Sequence, residues 1–558
     1  MKTDNKSIIK ALKLLGQLME LHEENSFKIK SINNAAYKLG KYEEALANKS
    51  VEELSAIDGV GKSVATKILE FVSTGSIKEL EDLKSITPEG IIDVLSIKGL
   101  GPKKIQIIWK QLGIESIGEL YYACIENRLV EAKGFGLKTQ EEVKKLIEFN
   151  FSNKGSILLS TALNLEKELN DKLSEHSIQL EKTGELVRNT EVITKLEFLA
   201  KHVNKAKIKE LIHSEDYYPT VIEDNNDLLI AESVQQNKIY IHFFNESNYL
   251  DLKFRLSAHE NHIQKLKSIN EDLLKSTITV DEHKIYEQLN IQFIPSVMRE
   301  GLREVELAKE NKIPKLIEDS DLKGSLHNHS TWSDGIHTLS EMAKHCELLG
   351  YSYLGICDHS KSAFYANGLN EERVLAQHIE IDTLNSKNPS FKIFKGIESD
   401  ILNDGSLDYE DSILKSFDFI VASIHSNLKM DEEKANQRLI KAIENKYTTI
   451  LGHPTGRLLL ARKGYPINHA LIIDACASNN VAIEINSNPL RLDLDWRWID
   501  YALNKGVKLC INPDAHKKEG LTDMQYGVMV AQKAGLSAED CLNAWDISKI
   551  TDFFNQKK

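Results

Sequence analysis

The last third of this 558-residue chain consists of short apolar runs that end in histidine or a carboxylate, and that regularity restricts its fold more than any other feature. GSLHNHS ends in His327 and His329, with Asp334 just beyond. YLGICDHS ends in Asp358 and His359, FKIFKGIESD in Glu398, and FDFIVASIHS in His425. TTILGHPTGR ends in His453 and KLCINPDAH in Asp514 and His516, whereas VAIEINSNP carries Glu484 and Asn486 instead. Strands alternating with helices imply a parallel sheet or barrel. In such a barrel the C-terminal ends of all strands open on one face, so residues far apart in sequence converge there. Imidazoles and carboxylates together suit Zn²⁺, Mn²⁺ or Fe²⁺ better than Ca²⁺. A carboxylate such as Glu398 can bridge two ions. One histidine at a strand end is usually an ordinary hydrogen-bonded residue. Six of the 18 histidines at successive strand ends, with three acids, are not explained that way.

This block resembles the PHP (polymerase and histidinol phosphatase) family, a distorted seven-stranded (βα) barrel with a trinuclear metal centre. His327, His329, Asp334, His359, Glu398, His425, His453, Asp514 and His516 match its nine ligand positions. The resemblance implies one metal on His327, His329, Glu398 and Asp514, and a second on Glu398, His425 and His453. It implies a third on Asp334, His359 and His516. Mn²⁺ or a Zn/Fe mixture is expected, with Mg²⁺ admitted, and the implied chemistry is phosphoester hydrolysis with Glu398 at its centre. Arg457, four residues after His453, reads either as a catalytic phosphate clamp or as half of a surface ion pair.

The first 150 residues have a different texture: apolar residues at three- and four-residue spacing, interrupted by Gly-x-Gly turns. Three turns recur, with Gly59 and Gly61, Gly99 and Gly101, and Gly134 and Gly136, each followed by a helix. Glycine lets a backbone approach a phosphate closely, and the helix N-terminus offers free N–H groups to it. The first two turns fit the helix-hairpin-helix pattern well and the third less well. Lys62, Lys103 and Lys104 can add phosphate contacts. Charge alone does not point to DNA, because residues 1–150 hold 22 Lys and Arg against 22 Asp and Glu, within a chain of net charge −13. DNA binding therefore rests on these local devices.

The order of parts resembles bacterial family X DNA polymerases. NSFKIKSINNAA (Asn25 to Ala36), the glycine turns and IPSVMREGLREVE (Ile294 to Glu306) carry the resemblance beside the PHP block. It implies a multidomain chain: an N-terminal helical domain with a helix-hairpin-helix over 1–85, a fingers-like helical region over 86–152, a nucleotidyltransferase-like palm over 153–245, a thumb-like region over 246–312 and the PHP barrel over 320–558. Ile313 to Gly324 reads as a polar, acidic linker. The palm departs from the family. Of the Gly-Ser nucleotide turn Gly184 survives beside Glu185, Arg188 matches a family arginine, and the Asp-x-Asp positions hold Lys195 and Glu197. The strand NKIYIHFF offers Ile239 or Tyr240 and no acid, and the family's Thr-Gly-Ser thumb turn is lost near Leu256, Ser257 and Ala258. A protonated lysine cannot ligate Mg²⁺, so an inactive polymerase centre is expected. Lys67 matches the family's lyase lysine, Lys28 a nearby basic position, and Ile32 stands where some relatives have tyrosine.

The expected function is a 3′→5′ exonuclease of DNA repair acting on gapped or nicked duplex, on a degenerate polymerase scaffold. The alternatives are a working repair polymerase with exonuclease, a small-molecule phosphatase of the histidinol-phosphate type, and a non-catalytic DNA-binding scaffold. Six scattered cysteines, no membrane-length apolar run and no secretory signal fit the cytoplasm. Oligomeric state, metal identity and cleavage polarity are left open by the sequence.

Overall fold

A computed structural model describes residues 5–557 apart from 43, 98–99, 131, 133, 153–154, 215–217, 219 and 234–236. The chain forms two compact units, 1–148 and 149–558. Among the described residues, no helix is long and apolar enough to cross a membrane.

The first unit is helical. Its opening helix, Asn5–Leu21, buries Ile8, Leu12, Leu15, Leu18 and Met19, the stripe that 3.6-residue periodicity places on one face. Asn25 caps Ser26–Leu39 by accepting from the Phe27 and Lys28 amides. Ser50 and Glu53 form a capping box on Val51–Ser55.

The second unit begins with a five-stranded mixed sheet. Its order is Glu181–Lys182, Leu196–Lys201, Lys238–Phe244, Leu228–Glu232 and Thr220–Asp224, with Leu196–Lys201 and Lys238–Phe244 parallel. Phe198, Ala200, Ile239, Ile241 and Phe243 are buried together with Leu159, Ala162 and Leu173 of the helix Leu159–Ser174. Glu197, Tyr240 and His242 alternate onto the other, half-exposed face. A helical region follows around Phe254, Leu266, Tyr286, Ile294 and Met298.

The barrel strands are Gly324–Ser325, Tyr353–Ile356 and Lys392–Lys395 in one sheet, then Glu398–Asp400, Val421–Ser423, Ile450–Leu451, Ala482–Asn486 and Leu509–Asn512 in the next, paired in parallel. Bridges Asn328↔Ala515 and His359↔Glu398 join the two sheets into a closed ring. Lys392–Lys395 and Glu398–Asp400 are halves of one kinked strand, which leaves seven staves, in line with the expected barrel. A Cβ on Gly396, at the kink, would lie 2.6 Å from the Ile356 carbonyl oxygen.

One expectation is corrected here. The stretch 313–324 is a strap rather than a free linker. Ile317 is fully buried in the barrel core, its amide donates to the Leu536 carbonyl at 2.9 Å, and Leu316 packs on the helical core before it. Arg188 serves the junction between sheet and barrel. Its Nε is 3.2 Å from Glu300, which also accepts at 2.5 Å from the buried ammonium of Lys533. Lys533 donates in addition to the Arg188 carbonyl at 2.6 Å. Beside this group, Glu191 accepts from Trp496 at 2.9 Å and from Arg497 at 2.6 Å.

Candidate metal centre and DNA-binding turns

All nine residues named from the sequence meet at one end of the barrel, because every stave delivers its last side chain to that end. Glu398 lies at the middle. One of its carboxylate oxygens is 3.0 Å from His453 Nε2, 3.1 Å from His425 Nε2 and 3.4 Å from His327 Nε2. The other is 3.0 Å from His359 Nδ1 and 3.6 Å from His329 Nε2. Three overlapping groups have ligand-type spacing: His327, His329, Glu398 and Asp514; His359, Glu398 and His425; and His329, Asp334, His359 and His516. The first is the set implied by the family resemblance. In the third, His329 joins the expected three, its ring stacked on His516 at 4.1 Å. In the second, His359 stands in the group, and His453 touches the same Glu398 oxygen.

The donor chemistry fits cations. Buried, the polar atoms His327 Nε2, His329 Nδ1, Asp334 Oδ2, both ring nitrogens of His359 and Glu398 Oε2 have no hydrogen-bond partner. Unpaired buried polar atoms are costly, and so many at one point indicate a site organised for an ion. Burial opposes charge on Glu398, but the imidazoles of His425, His327 and His359 outweigh it and hold the carboxyl well below its usual range. Burial, together with His516 and His359, pushes His329 down to about 3, which keeps that ring in its neutral, ligating form.

A second ring of residues aims the first. The Glu484 carboxylate is 2.7 Å from His327 Nδ1 and accepts from the His453 amide at 3.2 Å, while Asp400 holds His425 Nδ1. Neither role was legible in the motifs. Glu484 is the acid of the one run that ends without a ligand, and its place on the same strand face was the available signal. Asp358, a strand-end acid in the sequence, is a clasp: it accepts from the amides and hydroxyls of Ser330 and Ser333 and from Gln377, closing the turn that presents Asp334.

Of the two readings of Arg457, phosphate clamp or half of an ion pair, the structure shows the contacts of the second. Its guanidinium donates to Asp495 at 2.5 Å, to the Arg491 carbonyl at 2.9 Å and to the Leu492 carbonyl, so the ion-pair alternative holds. It fastens the loop 491–495.

In the helical unit, Gly59 and Gly134 sit at φ +84° and +91°, where only glycine is unstrained. Gly61, Gly101 and Gly136 differ: a Cβ on any of them would meet nothing within 4 Å. Folding therefore leaves room for a side chain at these three, and the space beside the backbone is open to a partner. Gly61 and Gly101 precede the helices Lys62–Thr74 and Pro102–Lys110, neither of which has a side-chain cap, so the first-turn N–H groups these helices carry, Pro102 having none, are left to phosphate. Lys62 and Lys103 stand in the first turns of these helices. Gly99 lies outside the described residues. Lys67 pairs with Glu79 at 2.6 Å, and Lys28 lies 3.7 Å from the same carboxylate.

In the palm-like sheet, Glu185 is already engaged, accepting from the Thr194 amide at 2.5 Å and the Lys195 amide at 3.0 Å. Glu197 is 3.4 Å from His242 and fills the space beside Gly184, where a Cβ would lie 2.1 Å from it. Among the described residues, every group of three or more potential ligands lies in the barrel and none in this sheet.

Comparison with known proteins agrees with this layout. A helix-hairpin-helix domain matches residues 3–77, a SAM-like helix-hairpin-helix tandem 91–145 and a PHP domain 325–488. The chain is 27% identical over 246 residues to a probable phosphatase of Thermoanaerobacter sp. (strain X514), covering 42% of this chain and 94% of that protein. It is 33% identical over 574 residues to the DNA polymerase/3′-5′ exonuclease PolX of Bacillus subtilis (strain 168), covering 99% of both chains. With helix-hairpin-helix modules at one end, a metal-dependent type of barrel at the other and similarity running the whole length, the chain belongs to the bacterial family X DNA polymerases that carry a C-terminal PHP domain.

Proposed function

We propose that the chain is a DNA-processing enzyme whose working centre is the barrel, a metal-dependent 3′→5′ exonuclease fed by the helix-hairpin-helix turns. The observation that carries this reading is the convergence of histidines and carboxylates on Glu398, with buried ring nitrogens left without hydrogen-bond partners. His327, His329, Glu398 and Asp514 would hold one ion. Glu398, His425, His453 and His359 would hold a second, and Asp334, His359, His516 and His329 a third. Bound there, Mn²⁺, Zn²⁺ or Fe²⁺ supplies Lewis-acid polarisation of the phosphate and an activated water. The protein's own part is to hold the donors rigid. Glu484 and Asp400 fix the rings of His327 and His425, and Asp358 fixes the turn of Asp334.

The palm is read as a retained scaffold. Lys195 occupies a ligand position of the family, and a protonated ammonium repels a divalent ion instead of ligating it. Glu197 is already beside His242. The Bacillus relative's name favours a second reading, a polymerase that also works. A small-molecule phosphatase is disfavoured because it leaves the helix-hairpin-helix modules matched over residues 3–77 and 91–145 without a task.

A 5′-labelled primer on a gapped template with Mn²⁺, with and without dNTPs, separates these readings. Shortening that ignores dNTPs and disappears with EDTA or in a His327→Ala/His329→Ala variant is the expected result. Extension of the primer would overturn the scaffold reading of Lys195 and Glu197. No change to the primer, with release of phosphate from small monoesters, would move the assignment to the phosphatase.

A further inference from the structure

The loop from Ser360 to Leu369, which follows His359, carries a residue for which hydrolysis alone has no use. Phe364 is 88% exposed, while Ala363 and Ala366 on either side are buried. The loop is firmly tied down. Ser360 and Leu369 form a bridge, the Ser362 amide donates to Asp408 at 2.6 Å and its hydroxyl to Asp400 at 2.8 Å, and Tyr409 donates to the Leu369 carbonyl at 2.5 Å. Asn367 turns the chain back at φ +52°, and its amide reaches the Trp332 and Ser333 carbonyls at 3.5 and 3.4 Å. Through these contacts the loop is joined to the turn that presents Asp334. Tyr365, which follows Phe364, has its ring 6.2 Å from the ring of His359. A second exposed apolar side chain, Ile336, stands on the joined turn just past Asp334.

A phenyl ring held in water by a fastened loop, one residue from a side chain that touches the centre, has the features of a base-stacking platform. Its ring is exposed, the backbone that carries it is tied down on both sides, and its neighbour Tyr365 packs beside His359 of the centre. Every base has a π face, so such a platform accepts any sequence. We propose that Phe364 stacks on the base of the terminal or penultimate nucleotide of a single-stranded 3′ end, and so selects nucleic-acid ends over small phosphomonoesters. This inference rests on the nuclease reading above.

The test uses the full-length protein and single-stranded oligonucleotides carrying 2-aminopurine at the last or the penultimate position. In EDTA, binding is expected to quench the 2-aminopurine fluorescence at one of these positions. Phe364→Leu is expected to abolish that quenching and Phe364→Trp to keep it. In Mn²⁺, cleavage of an oligonucleotide lacking that one base is expected to have a KM about tenfold above that of the intact strand in the wild type, and nearly the same KM in Phe364→Leu. Equal quenching in wild type and Phe364→Leu, or an undiminished KM ratio in that variant, overturns the inference. Phenylalanine-dependent quenching without cleavage would keep it while removing the nuclease reading, so the two failures are distinguishable.

Discussion

At the scale of single residues, the centre depends on side chains that would never touch a substrate. Glu484 is fully buried and aims His327, and histidine ligands lose affinity when the group on their far nitrogen is removed. Glu484→Gln is expected to lower bound metal, measured by elemental analysis after dialysis, and exonuclease kcat by about 10- to 100-fold with the fold intact. His378, buried against Phe417, gives a pH signature away from the centre. Burial, helped by Lys395, pushes its imidazole down to about 4. The unfolded chain takes up a proton near pH 6.5 that the folded chain refuses until about 4. The contribution of the neutral ring to stability is thus whole above pH 6.5 and is lost as pH falls towards about 4. Urea midpoints at pH 7 and pH 5 should therefore differ less for His378→Leu than for the wild type. Equal differences would show that the ring is not held neutral. The ligands were legible in the sequence because all but Asp334 end an apolar run, and Asp334 lies just past one. Arg457 stayed open between two readings because strand periodicity ends with the strand, and nothing in TTILGHPTGR tells which way its loop turns.

At the scale of elements, the hairpins separate two uses of glycine. Gly59 and Gly134 are required by backbone conformation, whereas Gly61 and Gly101 occupy open space at uncapped helix starts. Gly101→Ala is expected to cost the fold only about 0.5–1 kcal/mol, the ordinary loss at an N-cap. It is also expected to weaken DNA binding several-fold in fluorescence anisotropy, because a methyl group would stand where a phosphate must approach. Gly59→Ala should instead lower thermal stability, since its added Cβ lies 3.0 Å from Lys38 Cγ in a left-handed backbone. Similar stability losses in both variants would remove the distinction. The hairpins and staves were readable because local periodicity and turn chemistry determine them. The strap was misread because Ile317 and Leu322 are only two core residues within an otherwise polar, acidic stretch, too few to raise a pattern.

At the scale of the second unit, charge is used where a core would ordinarily be. The Lys533 ammonium is buried between Glu300 and the Arg188 carbonyl, and Glu300 is held below its usual range by Lys533 and Arg188 against the effect of burial. Removing one partner of such a buried pair leaves the other uncompensated, at a cost of about 3–5 kcal/mol. Glu300→Ala is expected to lower the calorimetric transition of this unit by several degrees and to split it, sheet from barrel. A single unshifted transition would mean that the network is dispensable. None of this was visible in sequence, because Glu191, Arg188, Glu300, Arg497 and Lys533 meet across hundreds of residues with no periodicity to announce them. The strap has a practical corollary for anyone who would express the catalytic barrel alone. A fragment begun where the PHP match begins, at residue 325, starts downstream of Ile317 and Leu322 and so removes two plugs from its own interior. At roughly 1.5–3 kcal/mol for each aliphatic side chain, that cut would take a large share of the stability of any isolated barrel. The shortest autonomous piece therefore starts upstream of Ile317, outside the residues that the PHP match covers.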